Sequence, residues 1–299
     1  MADHTLDLRT LELVVEVADR RSFTAAAEEL HLSQSALSRA VNEAERRLGA
    51  KLFERTTRSV ELTPVGKEFT RLAREQLDDA ARSRHEFTLF RDGQRGIVRV
   101  SAVPSVAATV LPAFLADLRV SRPGITVEVD DTLAHDATDR LMAGLVDFAI
   151  TADDSIPEGA HFTPLVTDRF HAVFRPDHRF HGRAWVTWHE FATEPAVMFG
   201  PSSSLRVFTD RALDDLGLSM YRAAEAQNIA VIAGLVSAGM GVAAAPALVL
   251  PLMAFADLET AELTSPTIER TLGLVSVPGR TVSPAARHFA DTFARAQQP

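Results

Sequence analysis

The chain has 299 residues, 46% of them hydrophobic, which is enough for packed cores in two or three domains and rules out a disordered tail or a minimal scaffold. It has no cysteine, which excludes disulfides and thiolate metal sites, and no apolar run long enough to cross a bilayer; a soluble, cytoplasmic protein with no membrane partner is expected. A formal net charge of −9 excludes a uniformly basic nucleic-acid binder, so any such surface must be local.

Leu8, Leu11, Val15 and Ala18 form a helical stripe that Arg20-Arg21-Ser22 brings to an end. Thr24 is the expected cap of a shorter helix, whose Ala25, Ala26, Ala27 and Leu30 make a small-residue face for close packing. His31-Leu32 is the turn to a third helix, framed by Ser33 as N-cap and Gly49 after its last apolar position. On that third helix Leu37, Val41, Ala44 and Leu48 point inward, leaving Ser35, Ser38, Arg39, Asn42 and Arg46 outward. A rod of about sixteen residues, about 24 Å long, with hydroxyl, amide and guanidinium groups on its free side fits a DNA major groove; this is helix-turn-helix geometry. Leu52 and Phe53 can then anchor a segment from which Arg55, Thr57 and Arg58 extend as a wing toward the phosphate backbone or minor groove. Net charge from His31 to Lys67 is +3, leaving −12 elsewhere, so a small cationic surface sits on an acidic body.

Pro64 opens a segment that runs to Arg91 without another proline and predicts one continuous helix. Phe69, Ala73, Gln76, Ala80, Ser83, Phe87 and Phe90 recur along it at spacings of three and four, a seam suited to a second copy of the chain. Asp92 to Gly96 reads as a linker. Beyond it strands are expected at Ile97–Val103, Ile125–Val129 and Asp147–Thr151, with helices at Val106–Leu118 and Ala134–Ala143, a βαβ series whose natural solution is a parallel sheet. A second series has strands near Phe162–Thr167, Arg169–Phe174, Ala196–Phe199 and Gly241–Ala245, with helices at Leu205–Leu216 and Ile229–Ala238. A strand at Ile268–Val277 and a helix at Pro284–Gln297 close the chain.

The run SFTAAAEELHLSQSALSRAVNEAERRLGAKLFERTTRSVELTPVG resembles the signature of the LysR-type transcriptional regulators, a likeness strongest over Leu8 to Phe69 and only pattern-level beyond Gly96. It implies an α+β multidomain chain: a winged helix-turn-helix over 1–63, a linker and dimerisation helix over 64–91, and a two-lobed α/β effector domain over 92–299, like periplasmic solute-binding proteins. Lobe I would comprise about 96–160 and 268–299 and lobe II about 164–263, with crossovers near Ala160–Pro164 and Leu263–Ile268. The implied partners are double-stranded promoter DNA, a small-molecule effector, a further copy of the chain in a homodimer and homotetramer, and RNA polymerase. Ser33, Gln34, Ser35, Ser38, Arg39 and Asn42 are the groove-reading candidates, and Arg55, Thr57 and Arg58 the wing.

In open α/β lobes ligands collect where strands end and helix N-termini begin. Ser105 stands at one such junction, and Ser202, Ser203 and Ser204 at another; facing each other they would bind a small carboxylate. Thr132 and Gln227 are further lining candidates, with Phe199 and Ile229 as apolar walls. Each serine is equally well explained as a helix cap. Chemistry is not indicated: no HExxH accompanies His171, His178 and His181, and no Gly-x-Ser-x-Gly elbow is present. The glycines at 234, 239 and 241 run into a strand instead of opening a helix, so they read as close packing instead of a dinucleotide loop. No metal, cofactor or catalytic residue is expected. The alternative is a small-molecule sensor whose N-terminal helices contact a protein instead of DNA.

Overall fold

The computed structural model describes residues 6–56 and 59–296, so Thr57 and Arg58 lie outside the described residues. The chain divides into two compact units, 1–88 and 89–299. The first opens with α1 (Leu8–Arg20), capped by Asp7, whose carboxylate accepts from the Thr10 amide at 2.8 Å. Helix α2 (Phe23–Glu29) is capped by Ser22 instead of Thr24: the backbone at Ser22 is extended, and its hydroxyl accepts from the Ala25 amide at 3.3 Å, which leaves Thr24 inside the helix. Helix α3 (Gln34–Leu48) has Ser33 as N-cap and a left-handed Gly49 at its end. Its buried Leu37, Val41 and Ala44 meet Leu13, Val14 and Val17 of α1 and the small Ala26 and Ala27 of α2 in one core. Phe53 meets Phe23 edge-on at 5.8 Å and starts β1 (Phe53–Arg55), which pairs antiparallel with β2 (Val60–Leu62).

Glu45, which counts as an anion in the charge of this segment, is only 3% exposed. Its Oε1 accepts from the Leu52 and Phe53 amides at 2.8 and 3.1 Å and its Oε2 from Lys51 Nζ at 3.0 Å, so it satisfies the backbone where the chain leaves α3 for β1. Burial works to raise the Glu45 pKa, but the amides and Lys51 prevail and hold it below the ordinary carboxylate value. Helix α4 (Pro64–Arg91) starts against the same corner. A Cβ at Gly66 would lie 2.0 Å from the Leu52 carbonyl oxygen, so only glycine permits this approach. Along α4, Ala73 is buried on its own unit, while Phe87 and Phe90 are 66% and 46% exposed.

In the second unit β3 (Arg95–Ala102) leads into α5 (Pro104–Thr109) and α6 (Leu111–Ser121), where one helix was expected; Pro112 lacks the N–H needed to continue the α5 ladder. Next come β4 (Gly124–Asp131), α7 (Ala134–Met142) and β5 (Phe148–Ala152). Strands β3, β4 and β5 are parallel to one another, as the βαβ series implies. The two strands expected at Phe162–Thr167 and Arg169–Phe174 are one continuous strand, β6 (His161–Phe174).

The rest comprises β7 (Trp185–Thr187), α8 (Trp188–Ala192), β8 (Ala196–Phe199), α9 (Ser204–Asp215), β9 (Arg222–Ala226), α10 (Ile229–Ser237), β10 (Ala243–Pro246), a 3-10 segment Ala247–Ala256, β11 (Glu259–Thr264), β12 (Glu269–Ser276) and α11 (Pro284–Ala296). Strand β12 runs antiparallel to β5 and to β6 from Arg169 back to His161, so the first sheet is mixed instead of all-parallel. From Phe170 to Phe174 the same β6 pairs instead with β10 and β11, and β11 with β7. Strands β8 and β9 form a separate parallel pair. The change of partner at Arg169/Phe170 lies well past the expected crossover near Ala160–Pro164. Phe289 and Phe293 of α11 pack with Phe114 of α6 and Phe148 of β5, which brings the chain's last helix back to the first sheet. Gly241 approaches the Pro195 carbonyl so closely that a Cβ would lie 2.1 Å from it, whereas Gly234 faces open space and has no packing role. No helix among the described residues is long and apolar enough to cross a membrane.

Glu45→Ala strands two buried amides and should cost about 2–4 kcal/mol of stability in the first unit, read as a lowered transition in calorimetry of the full chain. Because the folded Glu45 pKa is depressed, its stabilising contribution is complete above its unfolded value near 4.5 and disappears as pH falls through the folded value. The wild-type and Glu45→Ala transitions should therefore converge on acidification.

Candidate functional site

The outward side of α3 is built by the burial of its other side. Ser33, Gln34, Ser35, Arg39 and Asn42 are exposed, and Ser38 is half-buried. The Ser33 hydroxyl accepts from the Ala36 amide at 3.2 Å and lies 3.2 Å from Ser35 Oγ, so its first task is capping. Arg39 makes no ion pair among the described residues, whereas Arg46 and Arg47 both pair with Glu43. Gln34, Ser35, Arg39 and Asn42 thus make up the exposed polar side of α3.

Arg55, expected to extend from the wing, is instead folded onto the helices. Its guanidinium lies 4.3 Å from the Phe23 ring centre, donates to Ser38 Oγ at 3.2 Å and comes within 3.7 Å of Glu45. This fixes β1 against α2 and α3 and uses one face of Ser38, so the two residues hold each other and neither is as available as the sequence suggests.

The second site is a cavity in the second unit, walled by Phe199 of β8, Arg270 of β12, Val249 of the 3-10 segment and the starts of α5, α7, α9 and α10. Of the expected ligand residues it brings together Ser105, Phe199, Ser203, Ser204, Gln227 and Ile229. Thr132 lines an adjoining hollow that shares Gln227 and Ile229. Ser202 is exposed in the turn before α9 and lines neither cavity. Ser203 is buried because it caps α9, accepting from the Leu205 amide at 3.3 Å; a cap spends the acceptor side of a hydroxyl and leaves its proton to donate. Asn228 caps α10 in the same way, accepting from the Ala230 amide at 2.8 Å. The helix N-termini of α7, α9 and α10 therefore converge on this cavity.

The cavity's one charged lining residue is Arg270, which sequence reading did not single out. It is 2% exposed, on β12 directly opposite Asp168 of β6. Its Nε and Nη2 donate to Asp168 Oδ2 at 3.3 and 2.9 Å, and Nη2 also to Ser105 Oγ at 3.1 Å. Asp168 in turn accepts from the Leu248 amide at 3.1 Å, at the start of the 3-10 segment. Burial lowers the Arg270 pKa, but from so high a starting value that the guanidinium stays charged beside Asp168. Arg206, next to the serine run, is bound to Asp210, Glu225 and the Phe199 carbonyl and does not line the cavity. His178 and His181 pair with Glu194 and Glu259, and the described residues hold no group of three or more His, Cys, Asp or Glu side chains fit for a metal.

Comparison with known proteins covers both units. The model of the bacterial regulatory helix-turn-helix protein, lysR family, matches residues 8–67, and that of the LysR substrate binding domain matches residues 91–298. The chain is 29% identical over 283 residues to the HTH-type transcriptional regulator YbhD of Escherichia coli (strain K12), covering 95% of this chain and 89% of that protein. It is 32% identical over 274 residues to a probable hydrogen peroxide-inducible genes activator of Mycobacterium avium, covering 89% and 86%. Among solved structures, full-length CbnR complexed with its target DNA superposes with a TM-score of 0.83 at 21% identity, covering 98% of this chain and all of that one.

Asp168→Ala leaves a buried guanidinium uncompensated and should destabilise the second unit by about 3–5 kcal/mol. Both tryptophans, Trp185 and Trp188, lie in this unit, so urea denaturation followed by their fluorescence reads the loss directly.

Proposed function

Because the chain belongs to the LysR family of DNA-binding transcriptional regulators, whose members carry an effector-binding domain, we propose that it binds promoter DNA through α3 and the β1–β2 wing and answers to a small anionic effector in the cavity of its second unit. The observation that carries the DNA half is the split of α3 into a buried apolar side and an exposed side of Gln34, Ser35, Arg39 and Asn42. Ser33, Ser38 and Arg55 support that surface as cap and braces, and Thr57 and Arg58 remain the wing residues proposed for backbone contact. The similar fold of CbnR, solved on its target DNA, supports the same reading.

The anionic half rests on the donor surplus of the cavity: Arg270, the hydroxyls of Ser105 and Ser203, and the first amides of α9 and α10. Thr132 would line its mouth. These 299 residues include no cysteine, so thiol oxidation offers no means of response within them. Two copies would join along α4, where Phe87 and Phe90 present exposed apolar surface, and pairs of dimers would form a homotetramer. Such an assembly places two α3 helices on half-sites of one promoter, where RNA polymerase would be the next partner, in the cytoplasm. Effector binding would act by favouring one arrangement of the lobes.

A gel shift on the DNA immediately upstream of its own gene tests this reading. Arg39→Ala should weaken specific binding by about 1–3 kcal/mol while sparing non-specific binding. Equal loss on both kinds of DNA would make Arg39 a phosphate contact, and no retention of promoter DNA by the wild-type chain would leave a protein partner for α3. Sedimentation of Phe87→Glu/Phe90→Glu should show the assembly shifted toward monomer.

A further inference from the structure

Arg270 is 2% exposed, and its guanidinium is only partly used by the protein. Nε and Nη2 are taken by Asp168 and Ser105, while Nη1 has no hydrogen-bond acceptor among the described residues, and the side chain lines the cavity. With Nε–H and both Nη2–H groups engaged, no parallel guanidinium pair remains, and the free Nη1–H groups can serve one oxygen of a carboxylate while a neighbouring donor serves the other. Ser105 is such a neighbour. Its oxygen accepts from Arg270, which leaves its own proton to donate, and no acceptor for that proton is found among the described residues. Around these donors stand Val103, Leu133, Phe199, Ile229 and Val249. Such walls favour the carbon skeleton of an organic acid over a fully hydrated inorganic anion.

We infer that Arg270 is the anion anchor of the cavity, taking the carboxylate of a small organic acid on Nη1 together with the Ser105 hydroxyl while its Nε and Nη2 stay on Asp168; this rests on the effector reading above and names the chemical class and the residue it leaves open. The placement gives the anchor a second consequence. Asp168 and Arg270 face each other just before β6 passes from one sheet to the other, and Asp168 also holds the Leu248 amide. A second carboxylate on Arg270 draws charge away from Asp168, so occupancy is felt at the strand shared by both sheets and at the 3-10 segment that begins beside it.

The test measures thermal midpoints of the full chain with monocarboxylates from acetate to phenylacetate, beside the matching primary amides, which keep the shape and lack the charge. In wild type at least one carboxylate should raise the midpoint by about 2 °C or more and its amide should not. In the charge-neutral pair Asp168→Asn/Arg270→Gln the carboxylate affinity should fall about ten- to a hundredfold. Should that variant fail to fold, Arg270→Lys and Ser105→Ala serve in its place, each expected to weaken the same carboxylate severalfold. Hydrogen exchange at Leu248 should change with the carboxylate in wild type only. A carboxylate that stabilises wild type and these variants alike would overturn the anchor and leave the effector reading standing. A wild-type chain indifferent to every carboxylate would overturn the anionic effector as well.

Discussion

The buried contact between Asp168 and Arg270 is the constraint on which the second unit depends. Strand β6 runs fourteen residues through two sheets, pairing with β12 up to Arg169 and with β10 and β11 from Phe170 onward. A strand that changes partners leaves backbone and side chains at the junction outside either regular ladder. Asp168 lies in the β12 ladder just before that junction and secures it: it holds the Leu248 amide on one side and the Arg270 guanidinium on the other. Through Arg270 the same contact reaches Ser105 at the start of α5. One carboxylate thereby ties together β6, β12, the 3-10 segment and the first helix of the unit. Replacing a buried ion pair with apolar residues of equal volume generally costs little in stability, so the value of this pair lies in its location and in the donors it leaves facing the cavity.

The first unit solves a comparable problem with one residue. Where the chain leaves α3 for β1, Glu45 reaches past Gly49 to accept the Leu52 and Phe53 amides, and Lys51 and Arg55 gather on its outer oxygen. Arg55, stacked on Phe23 and bonded to Ser38, then links the same carboxylate to the exposed side of α3. The surface proposed to read DNA is therefore held from beneath by the buried Glu45 carboxylate and the cations gathered on it, the same charges that a simple count would assign to the contact itself.

Local pattern was enough for much of this architecture. The bounds of α4, the cap and end of α3, the parallel β3, β4 and β5, and the helix starts that line the cavity all follow from periodicity and from capping chemistry acting over a few residues. Arg222–Ala226 carries no local signal: it reads as a mixed alanine-rich run and becomes β9 only because β8 lies beside it, while β7 forms by pairing with β11 and α8 starts at the Thr187–Glu190 capping box, a local signal that went unread. Pro112 was a signal present and overlooked, since it divides α5 from α6 by the absence of one donor.

The candidate site shows the deeper limit. Ser105, Ser203, Ser204 and Gln227 were legible because each stands at a strand end or helix start, a property of neighbouring residues. Arg270, Asp168 and Glu45 were not, because an ionisable side chain is assigned to solvent unless its partner is known. The strands expected at Phe162–Thr167 and Arg169–Phe174 leave Asp168 between them. Its partner is one hundred and two residues away, and only the antiparallel register of β6 and β12 sets the two side by side. Once that register is given, burial follows from pairing, the continuous strand follows from burial, and the free Nη1 of Arg270 at the cavity wall follows from the three donors that Asp168 and Ser105 already occupy.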